Sequence, residues 1–67
     1  MSFKIGIIGC GTIGNVHARS AAAAGLTVAG TWDVLPDRGR ELAGLHEGCV
    51  SHPSIDVLLE SDVDAVA

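Results

Sequence analysis

Short apolar runs alternate along this chain with stretches whose apolar positions recur at helical spacing. Ile5-Gly6-Ile7-Ile8 is a nearly continuous apolar run, the pattern of a parallel strand covered on both faces, and it predicts a central place in a sheet. Thr12 to Ala24 predicts a helix, with Gly25 placed as its stop. Gly14, Ala18, Ala21, Ala22 and Gly25 share one face of that helix, made only of small residues, which predicts an unusually close approach to the sheet. Alanine's helix propensity is the competing account of the run. Leu26 to Trp32, rich in Thr and Val, predicts a second strand. Pro36 to Leu45 predicts a second helix with proline in its first turn and Leu42 and Leu45 as core contacts, weakened by Gly39 and Gly44. Cys49 to Ser51 reads as a short third strand, and Ser54 as the cap of a helix in which Ile55, Leu58 and Leu59 share a face. Val63 to Ala67 reads as a buried strand just beginning. The order strand, helix, strand, helix, strand, helix, strand predicts an α/β fold, a partial doubly wound parallel sheet with right-handed connections, truncated in its fourth strand.

The candidate chemistry lies between the first strand and the first helix. Gly9-Cys10-Gly11-Thr12-Ile13-Gly14 is a G-x-G-x-x-G string. Glycine-rich hexamers are common in loops, so its weight comes from the strand before it, the helix after it and an acid at the end of the next strand. Together these point to a dinucleotide cradle of the Rossmann kind. Gly9 permits the tight turn out of the strand, Gly11 removes a side chain that would block a pyrophosphate, and Gly14 lets helix and strand approach. The phosphates would meet the unpaired N–H groups of Thr12, Ile13 and Gly14 and the positive end of the helix dipole. The alternative mononucleotide cradle, G-x-x-x-x-G-K-S/T, is absent, because Asn15-Val16 follows Gly14.

Asp33 ends the second strand, where a carboxylate accepts hydrogen bonds from both ribose hydroxyls of the adenosine and repels a 2′-phosphate; this favours NAD over NADP. Its competing role is a turn or helix cap ahead of Leu35-Pro36-Asp37. Arg38 qualifies the choice, since a guanidinium there can pair with a 2′-phosphate or stack on adenine, or be a solvated charge. His17, one turn beyond Gly14, leans back toward the loop and reads as a packing or supporting residue. Cys10 reads as a small residue tolerated in a tight loop. His46, Cys49 and His52 have metal-ligand chemistry but no fourth partner, so no metal site is expected.

Composition narrows the partners. The net charge is −4, and the basic residues Lys4, Arg19, Arg38 and Arg40 are scattered, which argues against nucleic acid. No stretch reaches the roughly 20 apolar residues of a membrane span, and no signal-peptide pattern opens the chain. A cytoplasmic protein is the expectation, and the two cysteines form no disulfide framework. A whole dinucleotide domain needs roughly 150 residues. The 67 residues here are therefore expected to be the N-terminal part of one, without a substrate domain.

Lys4 to Ala18, with the His17-Ala18 pair after the glycine string, resembles the opening of the Gfo/Idh/MocA oxidoreductases, the glucose–fructose oxidoreductase and inositol dehydrogenase family. The likeness continues through Trp32-Asp33, Pro36-Asp37-Arg38, Asp56-Val57-Leu58-Leu59 and Val63-Asp64-Ala65-Val66, and so covers nearly the entire chain. It implies hydride transfer between a nicotinamide and a sugar, cyclitol or related alcohol, a second α+β domain for that substrate, and a homo-oligomer at full length. It also implies a catalytic Glu-Lys-Pro segment, which no residue here matches, so no catalytic residue is placed. Only the cofactor positions Gly9, Gly11, Thr12, Ile13, Gly14 and Asp33 carry over, with Arg38 beside them. Gly39 and Gly44 depart from the residues usual in such helices. An aspartate- or homoserine-type amino-acid dehydrogenase is the alternative among enzymes, and an NAD-sensing regulatory module the alternative outside them.

Overall fold

The computed structural model describes residues 3–67. Its elements alternate as the apolar pattern predicts: β1 (Lys4–Ile8), α1 (Thr12–Ala23), β2 (Thr27–Trp32), α2 (Pro36–Gly44), β3 (Val50–Ser51), α3 (Ile55–Glu60) and β4 (Ala65–Val66). The strands form one sheet in the order β3-β2-β1-β4, and every pairing is parallel. The chain steps from β1 to β2 to β3 in one direction and then places β4 on the other side of β1. The reversal falls at β1, and ligands of open α/β sheets bind beyond the strand ends at such a switch point. The Gly9 loop leaves β1 at this end.

Helices cover both faces. Thr31 on β2 donates its hydroxyl to the Gly39 carbonyl of α2 at 2.7 Å, and Ile7 on β1 meets α1 at Gly14. Gly6 and Gly30, adjacent in sequence to residues of that face or its register partners, point to the opposite side. There Leu58 of α3 lies against both glycines, and a Cβ on Gly30 would come within 2.7 Å of Leu58 Cδ1. One leucine thus fills the space that two absent side chains leave, and it is fully buried. On the α1 and α2 side the core is Ile7, Cys10, Ala18, Ala21, Val28 and Leu42, with Ile5, Leu26 and Cys49 packed against it.

Local chemistry explains the element ends. α1 stops where Gly25 takes φ +87°, a left-handed conformation that glycine adopts without penalty. The N–H of Leu26 then donates to Ala21 O at 2.9 Å and that of Gly25 to Ala22 O at 3.0 Å, closing the helix in a Schellman motif. Pro36 occupies the first turn of α2, where its missing N–H is no loss. Ser54 caps α3, its hydroxyl accepting from Val57 N at 3.1 Å. At the sheet edge, Lys4 Nζ pairs with Asp62 at 2.5 Å, and the Lys4 N–H donates to Asp64 at 2.7 Å.

Several boundaries differ from the sequence expectation, each for a packing reason. The small face of α1 buries Gly14, Ala18 and Ala21, while Ala22 and Gly25 turn outward. Leu45 is not a core residue: α2 ends at Gly44, its inner stripe is Gly39, Leu42 and Ala43, and Leu45 follows it with 71% of its surface exposed. α3 spans six residues and buries only Leu58, leaving Leu59 exposed. Cys49 precedes β3, and the residues of β4 are exposed at the edge. No helix among the described residues is long and apolar enough to cross a membrane.

Truncating Leu58 to alanine empties the contact with Gly6 and Gly30, and the loss of stability should be about 2 to 5 kcal/mol. Gly44→Ala should have the opposite sign. A Cβ at Gly44 meets nothing within 4 Å, so relief of backbone entropy should add about 0.5 to 1 kcal/mol. Denaturant unfolding of the two variants beside the wild type checks both signs.

Candidate functional site

The three glycines of the loop are required for different reasons. Gly9 has φ +87° and turns the chain out of β1. A Cβ on Gly14 would lie 1.9 Å from the Gly9 carbonyl oxygen and 3.3 Å from Ile7 Cγ2, so the first turn of α1 rests directly on the end of β1. Gly11 is neither twisted nor crowded. Its φ is −77°, and the nearest atom to a Cβ there is Arg38 Nη1 at 3.9 Å. The fold itself leaves room for a side chain at Gly11, and that room opens onto a cleft.

The cleft, about 460 Å³, is lined by Gly9, Gly11, Thr12, Ile13, Gly14 and Asp33, with Ile8, His17, Arg38 and Ala67 around them. The N-terminus of α1 faces it with no side-chain cap and no acidic residue in the first turn. The first N–H groups of a helix have no intrahelical acceptor, so they are left for an anion or water. On the other side of Gly11 and Thr12 a second cleft, about 650 Å³, runs between α1 and α2, with Arg19, Arg38 and Glu41 in its wall. Arg38 therefore borders both clefts, with Nη1 3.9 Å from where a Cβ on Gly11 would lie.

Asp33 is nearly fully buried, and its carboxylate is a bridge. Oδ2 accepts from the Cys10 N–H at 2.6 Å, and Oδ1 accepts from the Leu35 N–H at 2.7 Å. The first bond ties the end of β2 to the glycine loop; the second closes the turn into α2. The Leu35 and Cys10 N–H groups, and then the charge of Arg38, hold the carboxyl below its ordinary pKa against the opposing effect of burial. The turn role weighed for Asp33 is the one this geometry shows; a carboxylate has about four lone-pair sites, and these bonds occupy only one on each oxygen.

Cys10 is buried between the loop and the core, with Sγ 3.4 Å from the Trp32 carbonyl. Burial, and then the Asp33 charge, push its thiol up, and burial pushes that of Cys49 to about 11. Neither thiol is set up as a nucleophile, since the thiolate is the reactive form. His17 is exposed at the rim of the cleft. His52 packs over Gly30 on the far face of the sheet. No group of three or more metal-ligating side chains occurs among the described residues. Asn15 went unnoticed in the sequence except as the residue that replaces a phosphate-loop lysine. Its Nδ2 donates to Cys10 O at 3.1 Å and to Gly11 O at 2.9 Å.

No family model and no curated protein matches the chain. Solved structures do. A UDP-N-acetylglucosamine 3-dehydrogenase, GnnA, from Acidithiobacillus ferrooxidans is 38% identical with a TM-score of 0.83, covering 98% of this chain and 21% of its own. A protein assigned as a myo-inositol dehydrogenase from Sinorhizobium meliloti 1021 is 31% identical with a TM-score of 0.86, over 97% of this chain and 20% of that one. GenD2 of gentamicin A biosynthesis, solved in complex with NAD, is 26% identical with a TM-score of 0.85, over 98% and 20%. The chain thus spans about one fifth of the length of the proteins it matches.

Because the native pKa of Asp33 is depressed, the carboxylate contributes stability that is fully present above its unfolded pKa of about 3.9 and is lost as pH falls through the lower native value. The stability gap between wild type and Asp33→Asn should be widest near neutral pH and close as the solution is acidified below about pH 4. Denaturant unfolding of both proteins across that range measures the gap. A gap independent of pH would mean that the bridge does not depend on the charge.

Proposed function

We propose that this chain is the N-terminal part of the dinucleotide-binding domain of an NAD(P)-dependent oxidoreductase of the Gfo/Idh/MocA type, a reading supported by two structural neighbours with dehydrogenase names and a third solved with NAD. The full-length enzyme acts on a sugar, cyclitol or related alcohol by hydride transfer, with a separate substrate domain that carries the proton-transfer residues. The full-length enzyme is cytoplasmic and homo-oligomeric, with a small polyol or sugar as its substrate. Sequence resemblance and structural likeness support it together, because they point to the same group of enzymes.

The observation that carries the proposal is Gly11. Neither backbone strain nor a protein neighbour requires glycine there, and Gly11 lines the cleft that the first residues of α1 and Asp33 also line. A pyrophosphate fits that space. Gly11, Thr12, Ile13 and Gly14 would present their backbone to it, while Gly9 and Gly14 set the turn and the close contact that aim the helix. Asp33 would receive the ribose hydroxyls on the lone pairs left free by its two backbone bonds. Arg38, beside both clefts, would face the adenosine end. When bound, the nicotinamide supplies the carbon that takes up or releases the hydride. This chain's part is to hold the other half of the cofactor in register, which makes NAD the favoured form and NADP the weaker one.

Gly11→Val in the full-length protein should abolish NADH binding and leave the fold intact, since the new side chain meets cofactor space and no core atom. A fluorescence titration with NADH, alongside a circular dichroism melt, reads both; wild-type affinity in the folded variant would falsify the cradle.

Asp33→Ser should weaken NAD and shift the NAD-to-NADP preference toward NADP by roughly 10- to 100-fold, as a charged hydrogen-bond acceptor and a like-charge clash disappear together. NADP should gain less than NAD loses, because the variant also releases the Cys10 N–H from its anchor. Kd values for both cofactors measure the ratio, and an unchanged ratio would confine Asp33 to the turn.

A further inference from the structure

Asn15 is the one side chain of α1 that reaches back to bond the glycine loop, and the function above leaves it without a task. Its two amide hydrogens meet two carbonyl oxygens, those of Cys10 and Gly11, at 3.1 and 2.9 Å. Two acceptors identify the nitrogen end of the amide, since its oxygen could bond neither. The Gly11 carbonyl is already held by the Asn15 backbone N–H at 2.9 Å. The Cys10 carbonyl is different. No backbone N–H among the described residues donates to it, so the Asn15 side chain is its partner.

The consequence follows from peptide geometry. The chain has no cis peptide bonds among the described residues, and in a planar trans unit the C=O and N–H point in opposite directions. Holding the Cys10 carbonyl toward Asn15 therefore turns the Gly11 N–H the other way, and holding the Gly11 carbonyl does the same for the Thr12 N–H. Asp33 fixes the preceding unit through the Cys10 N–H. Three successive peptide units are thus held, the first by Asp33 just beyond β2, the second by the Asn15 side chain, and the third by the side chain and backbone N–H of Asn15 together. Gly11 has the widest backbone freedom of any residue type in the loop's unbound state, so an external restraint on its peptide planes has the most to contribute there.

We propose that Asn15 is a positioning residue for dinucleotide binding: its side-chain amide holds the Cys10 and Gly11 carbonyls so that the Gly11 and Thr12 N–H groups face the pyrophosphate before the cofactor arrives. This rests on the dinucleotide reading and adds to it a residue that does not touch the cofactor.

The test is a series at position 15 in the full-length protein, read by calorimetric titration with NAD and by the amide signals of Gly11 and Thr12 in 15N-labelled protein. Asn15→Leu keeps the bulk and loses both donors; Asn15→Ala loses bulk and donors; Asn15→Ser keeps one donor that can reach the carbonyl four residues back, which is Gly11 O. Affinity should fall roughly tenfold in the leucine and alanine variants, the effect of one or two lost hydrogen bonds, and recover in part in serine. In the two donor-free variants the Gly11 and Thr12 amides should exchange faster than in wild type before any cofactor is added. Wild-type affinity and amide exchange in Asn15→Leu, with serine no better than alanine, would make Asn15 a packing residue and overturn the inference while leaving the dinucleotide reading intact. A wild-type protein that binds neither NAD nor NADP would overturn both.

Discussion

The bond from the Cys10 N–H to the Asp33 carboxylate joins the two strand ends on which everything at the site depends. β1 and β2 lie side by side in the sheet, but their C-terminal ends lead into different turns, one into the glycine loop and one toward α2. A single buried carboxylate takes an N–H from each turn. Charge-assisted bonds to backbone N–H are among the stronger ones in proteins, and here they fix the relative position of the proposed pyrophosphate and ribose subsites. The carboxylate that serves as scaffold is also the one proposed to receive the ribose, so in that proposal the loop's geometry and the preference between cofactors are physically coupled.

The second constraint is the absence of side chains. Gly14 lets the start of α1 sit against the Gly9 carbonyl, and the buried alanines behind it let the rest of the helix follow. On the far face Gly6 and Gly30 admit Leu58. Close helix–sheet contact on both sides leaves little apolar surface per residue to bury, so a few fully enclosed side chains, Ile7, Leu42 and Leu58, carry much of the packing. Substitutions at glycine positions consequently sort by what surrounds them. A side chain at Gly14 strikes backbone, at Gly30 a buried leucine, and at Gly11 only the cleft.

Much of this was legible in the sequence, and the reasons are specific. The apolar run at Ile5 to Ile8, the stop at Gly25, the proline at the start of α2 and the serine before α3 each encode a local rule that tertiary contacts did not override. The glycine string and Asp33 could be placed together because the strand–loop–helix unit fixes their spacing. Leu45 was expected in the core and is exposed, and of the shared face Ile55, Leu58 and Leu59 only Leu58 is buried, because helical spacing states which residues share a face but not where a short helix stops or how wide its buried stripe is. The Asp33 bond to the Cys10 N–H and the pairing of the Asn15 amide with the loop carbonyls were not legible for a different reason. Hydrogen bonds from side chains to distant backbone depend on the third dimension, and neither leaves a pattern along the chain.

The most direct test is a crystal structure of the full-length protein with NAD bound. The account predicts pyrophosphate oxygens within about 3 Å of the Gly11, Thr12 and Ile13 N–H groups, ribose hydroxyls on Asp33, and the Cys10 N–H still held by the same carboxylate. A dinucleotide seated elsewhere, such as in the cleft beside Lys4, Glu47 and Asp62 on the other side of the sheet, or one whose ribose makes no contact with Asp33, would contradict it.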